Sequence, residues 1–129
     1  MLKKIGQFLR DLGHEGLETP SDVVARFRLR YEDIDIGTLW LDRGVWHFAY
    51  SEGFKAQSVA KPLVDFPDTD RTYSSEELWP FFAVRIPSLQ QPAVREIAEK
   101  ENLDIHNEVA MLARFARRSL SSPFSLEAL

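Results

Sequence analysis

At 129 residues, 44% of them hydrophobic and 28% charged, the chain has the size of one globular domain around a single core. Sixteen Lys and Arg against twenty Asp and Glu leave a formal charge of -4, which removes any general case for a strongly basic nucleic-acid or anionic-membrane binder. The sequence has no cysteine, which excludes disulfides, thiolate nucleophiles and Cys-ligated zinc and makes a reduced, cytoplasmic setting the expectation.

Every apolar run is broken within a few residues, far short of the ~20 that a membrane-spanning helix needs, so no membrane role is expected. Arg10, Asp11, His14 and Glu15 likewise interrupt what the basic start might offer as a signal peptide. Charge is uneven along the chain: residues 31–79 carry ten acidic and four basic groups, while both flanks are nearly balanced. The apolar period changes from alternating before about residue 50 to helical after about residue 74. The expectation is an α+β domain: a small antiparallel sheet followed by a cluster of about three helices, with an extra N-terminal helix. The first unit, residues 1–25, reads as that amphipathic helix and a linker, and residues 26–129 as the domain proper.

Ile5, Phe8, Leu9 and Leu12 recur at helical spacing, and Gly13 and Gly16 would end the helix they define. Arg26 to Glu32 alternates cleanly, with Phe27, Leu29 and Tyr31 on one face and three arginines on the other. Ile34 to Asp42 is a second strand whose alternation slips near Gly37, which a bulge would absorb. Asp42-Arg43-Gly44 reads as a tight hairpin, and Val45 to Tyr50 as the return strand, with Trp46, Phe48 and Tyr50 inward. Residues 51–73 read as a long irregular connection with one edge strand at most, since Pro62 and Pro67 exclude a central one.

Tyr73 to Leu78 predicts a helix start: Ser74 as N-cap, Glu77 closing a capping box, and Tyr73 packing on Leu78. Pro80 would then bend or shorten that helix, and Pro87 would close it. Pro92 fits the first residue of the next helix, whose Val94, Ile97 and Ala98 face the core. Asp104 is the expected cap of a third helix, carrying Ile105, Val109, Leu112 and Ala116. After Ser119 a tail or short edge strand is expected.

The residue types that carry chemistry are sparse. His14, His47 and His106 are far apart and none has a second histidine at helical spacing, so no metal site is expected; His47 should take a surface hydrogen-bonding role. Asp65, Asp68 and Asp70, and the pair Asp33 and Asp35, lack calcium-loop spacing and read as solvated turns. Neither GxGxxG nor GxxxxGK[ST] occurs, so no nucleotide or other cofactor is expected. Two arginine groups, Arg26 with Arg28 and Arg30, and Arg114 with Arg117 and Arg118, are compatible with phosphate contact but equally with a solvated sheet face and a helix C-terminus. Three Trp, three Tyr and nine Phe are many for so small a domain; Trp40, Trp79 and Phe82 beside Arg85 have the composition of a protein-binding patch.

Tyr73 to Pro87, YSSEELWPFFAVRIP, resembles the N-terminal subdomain of HipA-type toxin serine/threonine kinases, where a Tyr, an acidic helix start, a double Phe and Leu-Leu-Pro follow a small sheet. Ile36-Gly37-Thr38-Leu39 is similar to the family's first hairpin, Trp46 to Tyr50 to its return strand, and Lys61-Pro62-Leu63 to its proline-led run. Val94 to Ala98 and Asn107 to Arg118 resemble the helices that follow, so the likeness spans roughly residues 26–126. The chain departs from the pattern at Arg85-Ile86-Pro87-Ser88-Leu89, where the family has Leu-Leu-Pro-Glu-Gly, and at Ala116, where it has glycine.

The kinase body, with its glycine-rich loop and catalytic and metal-binding aspartates, has no counterpart in these residues, so no enzymatic activity is expected. The resemblance instead implies the free-standing small subunit of a split toxin-antitoxin system. Such a protein binds and restrains a HipA-like kinase, with a helix-turn-helix repressor as a further partner in a ternary complex and no direct contact with nucleic acid. Two alternatives stay open: a DNA-binding or repressor-accessory protein of the same operon, and a small metal-dependent hydrolase.

Overall fold

A computed structural model of the chain describes residues 12–119 and 122–129. The expected N-terminal helix, Leu12 apart, lies outside the described residues; Leu12 itself sits in a turn and packs on the core. Three strands form an antiparallel meander: β1 (Ala25–Tyr31), β2 (Ile34–Asp42) and β3 (Val45–Tyr50). Period-two patterning places Phe27, Leu29, Leu39, Leu41, Trp46 and Phe48 on one enclosed face. The β2–β3 hairpin turns through Arg43 (φ 51°) and Gly44 (φ 77°), the two consecutive positive φ values that a two-residue loop needs to match strand twist.

The slip at Gly37 is a bulge. Leu29 pairs with Gly37 and Arg30 with Asp35, leaving Ile36 as the extra residue. Ile36 is thereby buried, and Gly37 lies so close to β3 that a Cβ there would run into the Ala49 carbonyl oxygen.

Residues 51–73 contain a feature that composition hid. Ser51 caps a short helix, α1 (Glu52–Ala56), by accepting from the Phe54 amide at 3.0 Å, and its own hydroxyl donates to the Asp35 carbonyl at 2.7 Å. The cap lets Phe54 stack on Tyr50 with ring centroids 4.8 Å apart. The rest of the connection is irregular but pinned. The Tyr50 hydroxyl donates to the Phe66 carbonyl at 2.6 Å and accepts from the Leu63 amide at 2.8 Å. Burial pushes that phenol up to about 12, against the opposing pull of the Leu63 amide.

The capping box at Ser74 does not form. Tyr73–Ser75 is instead a strand, β4, paired with Trp46 to Phe48 of β3. Pairing satisfies backbone groups on the β3 edge, Tyr73 meets Phe66 edge-on at 5.0 Å, and the Ser74 hydroxyl bonds His47 at 2.8 Å. The helix starts later, as α2 (Pro80–Ala83), with Trp79 at the N-cap and Pro80 at the first helical position, where a missing N–H costs nothing. Pro80 therefore begins this helix rather than bending it.

Helix α3 (Pro92–Lys100) starts at its proline as expected. Helix α4 (Glu108–Phe115) is capped by Asn107, whose side chain accepts from the Ala110 amide at 3.1 Å; Asp104 caps only the turn before it, accepting from the His106 amide. After α4 come β5 (Arg118–Ser119) and β6 (Ser122–Ala128). The expected tail is thus an interior strand, because the full strand order is β4-β3-β2-β1-β6-β5 and every pairing is antiparallel. Its pairing with β1 runs from Phe27 opposite Ala128 to Tyr31 opposite Phe124, and it buries Leu126. The helices lie on the inner face of the sheet, where Phe54, Phe82, Val94, Met111 and Leu112 join the strand side chains in one core.

Interior placement of β6 has a measurable consequence. Leu126→Ala should lower unfolding stability by ~2–5 kcal/mol in urea titration, the usual cost of truncating an enclosed leucine. Leu129→Ala, three residues on and 66% exposed, should stay within ~0.5 kcal/mol of wild type. Equal, small effects at both positions would mean that this segment is a dispensable tail.

Candidate functional site

The outer face of the sheet is polar and open. Directly opposed residues share a face, so register sets Ser74, His47, Trp40 and Arg26 in one row across four strands, and Ala49, Thr38, Arg28 and Glu127 in the next. The Trp40 and His47 rings stack at 5.1 Å and 18°, and Arg26, Thr38 and Trp40 line a shallow hollow. Arg28 approaches Asp35 at 3.7 Å in an exposed pair of little energetic weight. The open face therefore offers one flat aromatic stack flanked by cations. His47 takes the hydrogen-bonding surface role expected of it.

The four side chains singled out as a patch do not form one. Trp40 is half-buried on the outer face. Trp79 and Phe82 meet on the inner side, their centroids 6.4 Å apart, with Trp79 edge-on to Phe66 at 5.1 Å. Phe82 is fully enclosed and presents no surface. Arg85 acts as a tie: its guanidinium lies 5.6 Å from the Phe81 ring centre and donates to the Phe124 carbonyl at 3.2 Å and the Ser122 hydroxyl at 3.4 Å, fastening the start of β6 to the end of α2. Burial lowers its pKa from the usual arginine value.

Two buried polar side chains escaped the sequence reading. Glu108 accepts from Trp46 Nε1–H at 2.9 Å and Thr19 Oγ1–H at 2.6 Å, so one carboxylate oxygen joins α4, β3 and the N-terminal segment. The backbone repeats that joint: Glu18 N–H donates to His106 and Glu108 N–H donates to Glu18. His14, also buried, donates Nε2–H to the Ile86 carbonyl at 2.6 Å, while the Leu89 amide donates to Gly13. Residues 13–19 are thus strapped across the helices. Glu108 had a readable signal, since residues 108, 111 and 112 share one helical face and the other two are apolar; His14, between two glycines, had none.

Among the described residues, no three His, Asp or Glu side chains gather closely enough to hold a metal ion. The acidic turn at Asp68 is spent on local bonds, its Oδ1 accepting from the Asp70 amide and its own amide donating to the Tyr73 hydroxyl. No helix among the described residues is long and apolar enough to cross a membrane. What the fold defines is an α+β scaffold with its helices on one face of the sheet and a polar, open face on the other.

Residues 27–120 match the family model of the HipA N-terminal domain, and the chain belongs to that family. Among solved structures, the fold is similar to a chain titled "N-terminal domain of HipA toxin", with a TM-score of 0.52 and 19% sequence identity, covering 84% of this chain and 95% of that one. No curated protein matches the chain.

The buried acid makes stability depend on pH. Burial raises the Glu108 pKa above 4.5, opposed by the Thr19 and Trp46 bonds and reinforced by Glu77. The folded state then holds this proton more tightly than the unfolded one. Its stabilising contribution is complete below pH 4.5 and is lost as pH rises through the raised value. Glu108→Gln keeps an acceptor for both donors without the charge, so its melting temperature should exceed wild type at pH 8 and converge with it toward pH 4.5. His14 runs the opposite way: burial depresses its pKa below 6.5, so its contribution is present above pH 6.5 and lost as pH falls through the depressed value. A Glu108→Gln variant less stable than wild type at pH 8 would show that the charge-assisted bonds outweigh burial.

Proposed function

We propose that this chain is a noncatalytic, antitoxin-like protein that binds and inhibits a HipA-like serine/threonine kinase in the cytoplasm, with a helix-turn-helix repressor as third component of the complex. The reading is carried by the family match over residues 27–120. The shared fold supports the reading, since a domain of this fold suits the place that a toxin's own N-terminal domain takes beside its kinase. It restrains the kinase if the state it binds differs from the active one. An interface of ~1,600 Å² supports micromolar or tighter binding without fixing it.

Of the four side chains proposed for contact, Trp40 and Trp79 keep exposed surface, and Arg85 and Phe82 contribute by shaping what surrounds them. The arginine row on the open face supports one second reading, contact with operator DNA. That reading calls for salt-dependent binding of promoter DNA by the chain alone, and a flat titration at low salt would leave the kinase reading by itself.

The deciding experiment purifies the chain with a HipA-like kinase from the same source. A stable complex and a loss of kinase autophosphorylation are expected; no complex and undiminished autophosphorylation would reject the reading. Trp40→Ala should weaken the complex by about tenfold with an unchanged melting temperature, as for an aromatic contact at an interface. Phe82→Ala should instead destabilise the fold by ~3–5 kcal/mol.

A further inference from the structure

One end of the inner face is left open. There Tyr31, Ile34, Phe54, Val59, Leu63 and Phe124 line an apolar groove of about 300 Å³, and its one charged liner is Lys61. Val59, on its lip, is 88% exposed, and Val64, next to the liner Leu63, is 95% exposed. These valines are held outward by a fixed loop. The Gln57 side chain donates to the Ala60 carbonyl and accepts from the Val59 and Ala60 amides, and the Tyr50 hydroxyl clamps Leu63 and Phe66. The loop is therefore ordered before anything binds, which removes a cost of association.

Three carboxylates stand around the groove, against the liner Lys61 and the Arg30 guanidinium, which donates to the Asp33 carbonyl at 3.4 Å. Glu32 and Asp33 are exposed in the turn between the liners Tyr31 and Ile34, and Asp65 is exposed beside Val64. None of the three carboxylates has an ion-pair partner among the described residues. A small ligand would find too few convergent polar groups here to orient it. An apolar chain segment flanked by basic residues finds both a hydrophobic seat and a complementary rim.

We infer that this groove receives an apolar segment with flanking Lys or Arg residues from the partner kinase. The inference rests on the antitoxin reading above and names the surface and chemistry it uses. Because both valines are exposed, their replacement leaves the core intact.

The test is calorimetric titration of the HipA-like kinase of the experiment above with the full chain and two double variants. Val59→Ser with Val64→Ser should weaken binding about tenfold at every salt concentration, with an unchanged melting temperature. Asp33→Lys with Asp65→Lys should weaken it at about 0.05 M salt, the difference closing by about 1 M as screening shortens. Wild-type affinity in both double variants, with a complex still formed, overturns the groove and leaves the antitoxin reading standing; no complex with the unaltered chain overturns both. If the valine variant converts a dimer to a monomer at unchanged kinase affinity, the groove belongs to a second copy and the inference falls. Unchanged kinase affinity with new protease cleavage in residues 1–11 assigns the groove to the chain's own start, and it falls equally.

Discussion

Phe27, Leu29, Leu39, Leu41, Trp46 and Phe48 enclose their side chains on the same side of three neighbouring strands, and every other element is arranged to complete that burial. Burying each such side chain is worth ~1.5–3 kcal/mol relative to exposing it, which is large beside the net stability of a domain. The sheet can cover only one face with the helices available, so the opposite face stays polar. The inner face also carries the one buried indole, Trp46, whose N–H would be orphaned without Glu108. Meeting that need draws in α4 and the strap at Thr19, so a polar requirement of the core fixes how the N-terminal segment lies.

Strand periodicity was legible because it is local: the alternations in β1 and β3, the hairpin at Gly44 and the bulge beside Gly37 depend on neighbouring residues alone. The misread elements were decided by distant partners. Ser74 has every local reason to cap a helix, but the free edge of β3 competes for the same backbone and wins, with His47 taking the hydroxyl. Residues 122–128 carry a proline and two serines and resemble a tail, yet β1 needs a partner on its second edge. The short α1 was invisible because its stability comes from Ser51 and the stacking of Phe54 on Tyr50.

The four side chains proposed for contact were legible as an aromatic surplus, but their places in the fold were not. An aromatic surplus pointed to contact surface, and Trp40 does stand on the open face. Trp79, Phe82 and Arg85 sit where the core and β6 need them, because the short turn of α2 and its two ends cannot present three large groups to solvent while also closing the sheet. The apolar groove is assembled from β1, β2, α1, the connecting loop and β6, whose liners lie as far apart in sequence as Tyr31 and Phe124, and no window along the chain contains it.

The interior position of β6 also bears on how the chain comes off the ribosome. β1, β2 and β3 emerge early and can form their meander at once, since their contacts are local. The second edge of β1 then waits, with its amides and carbonyls unpaired, until residues some ninety positions later leave the exit tunnel. For that interval the nascent chain carries an open strand edge of the kind that recruits other nascent chains, and its alternating arginines, Arg26, Arg28 and Arg30, supply the charge that discourages such pairing.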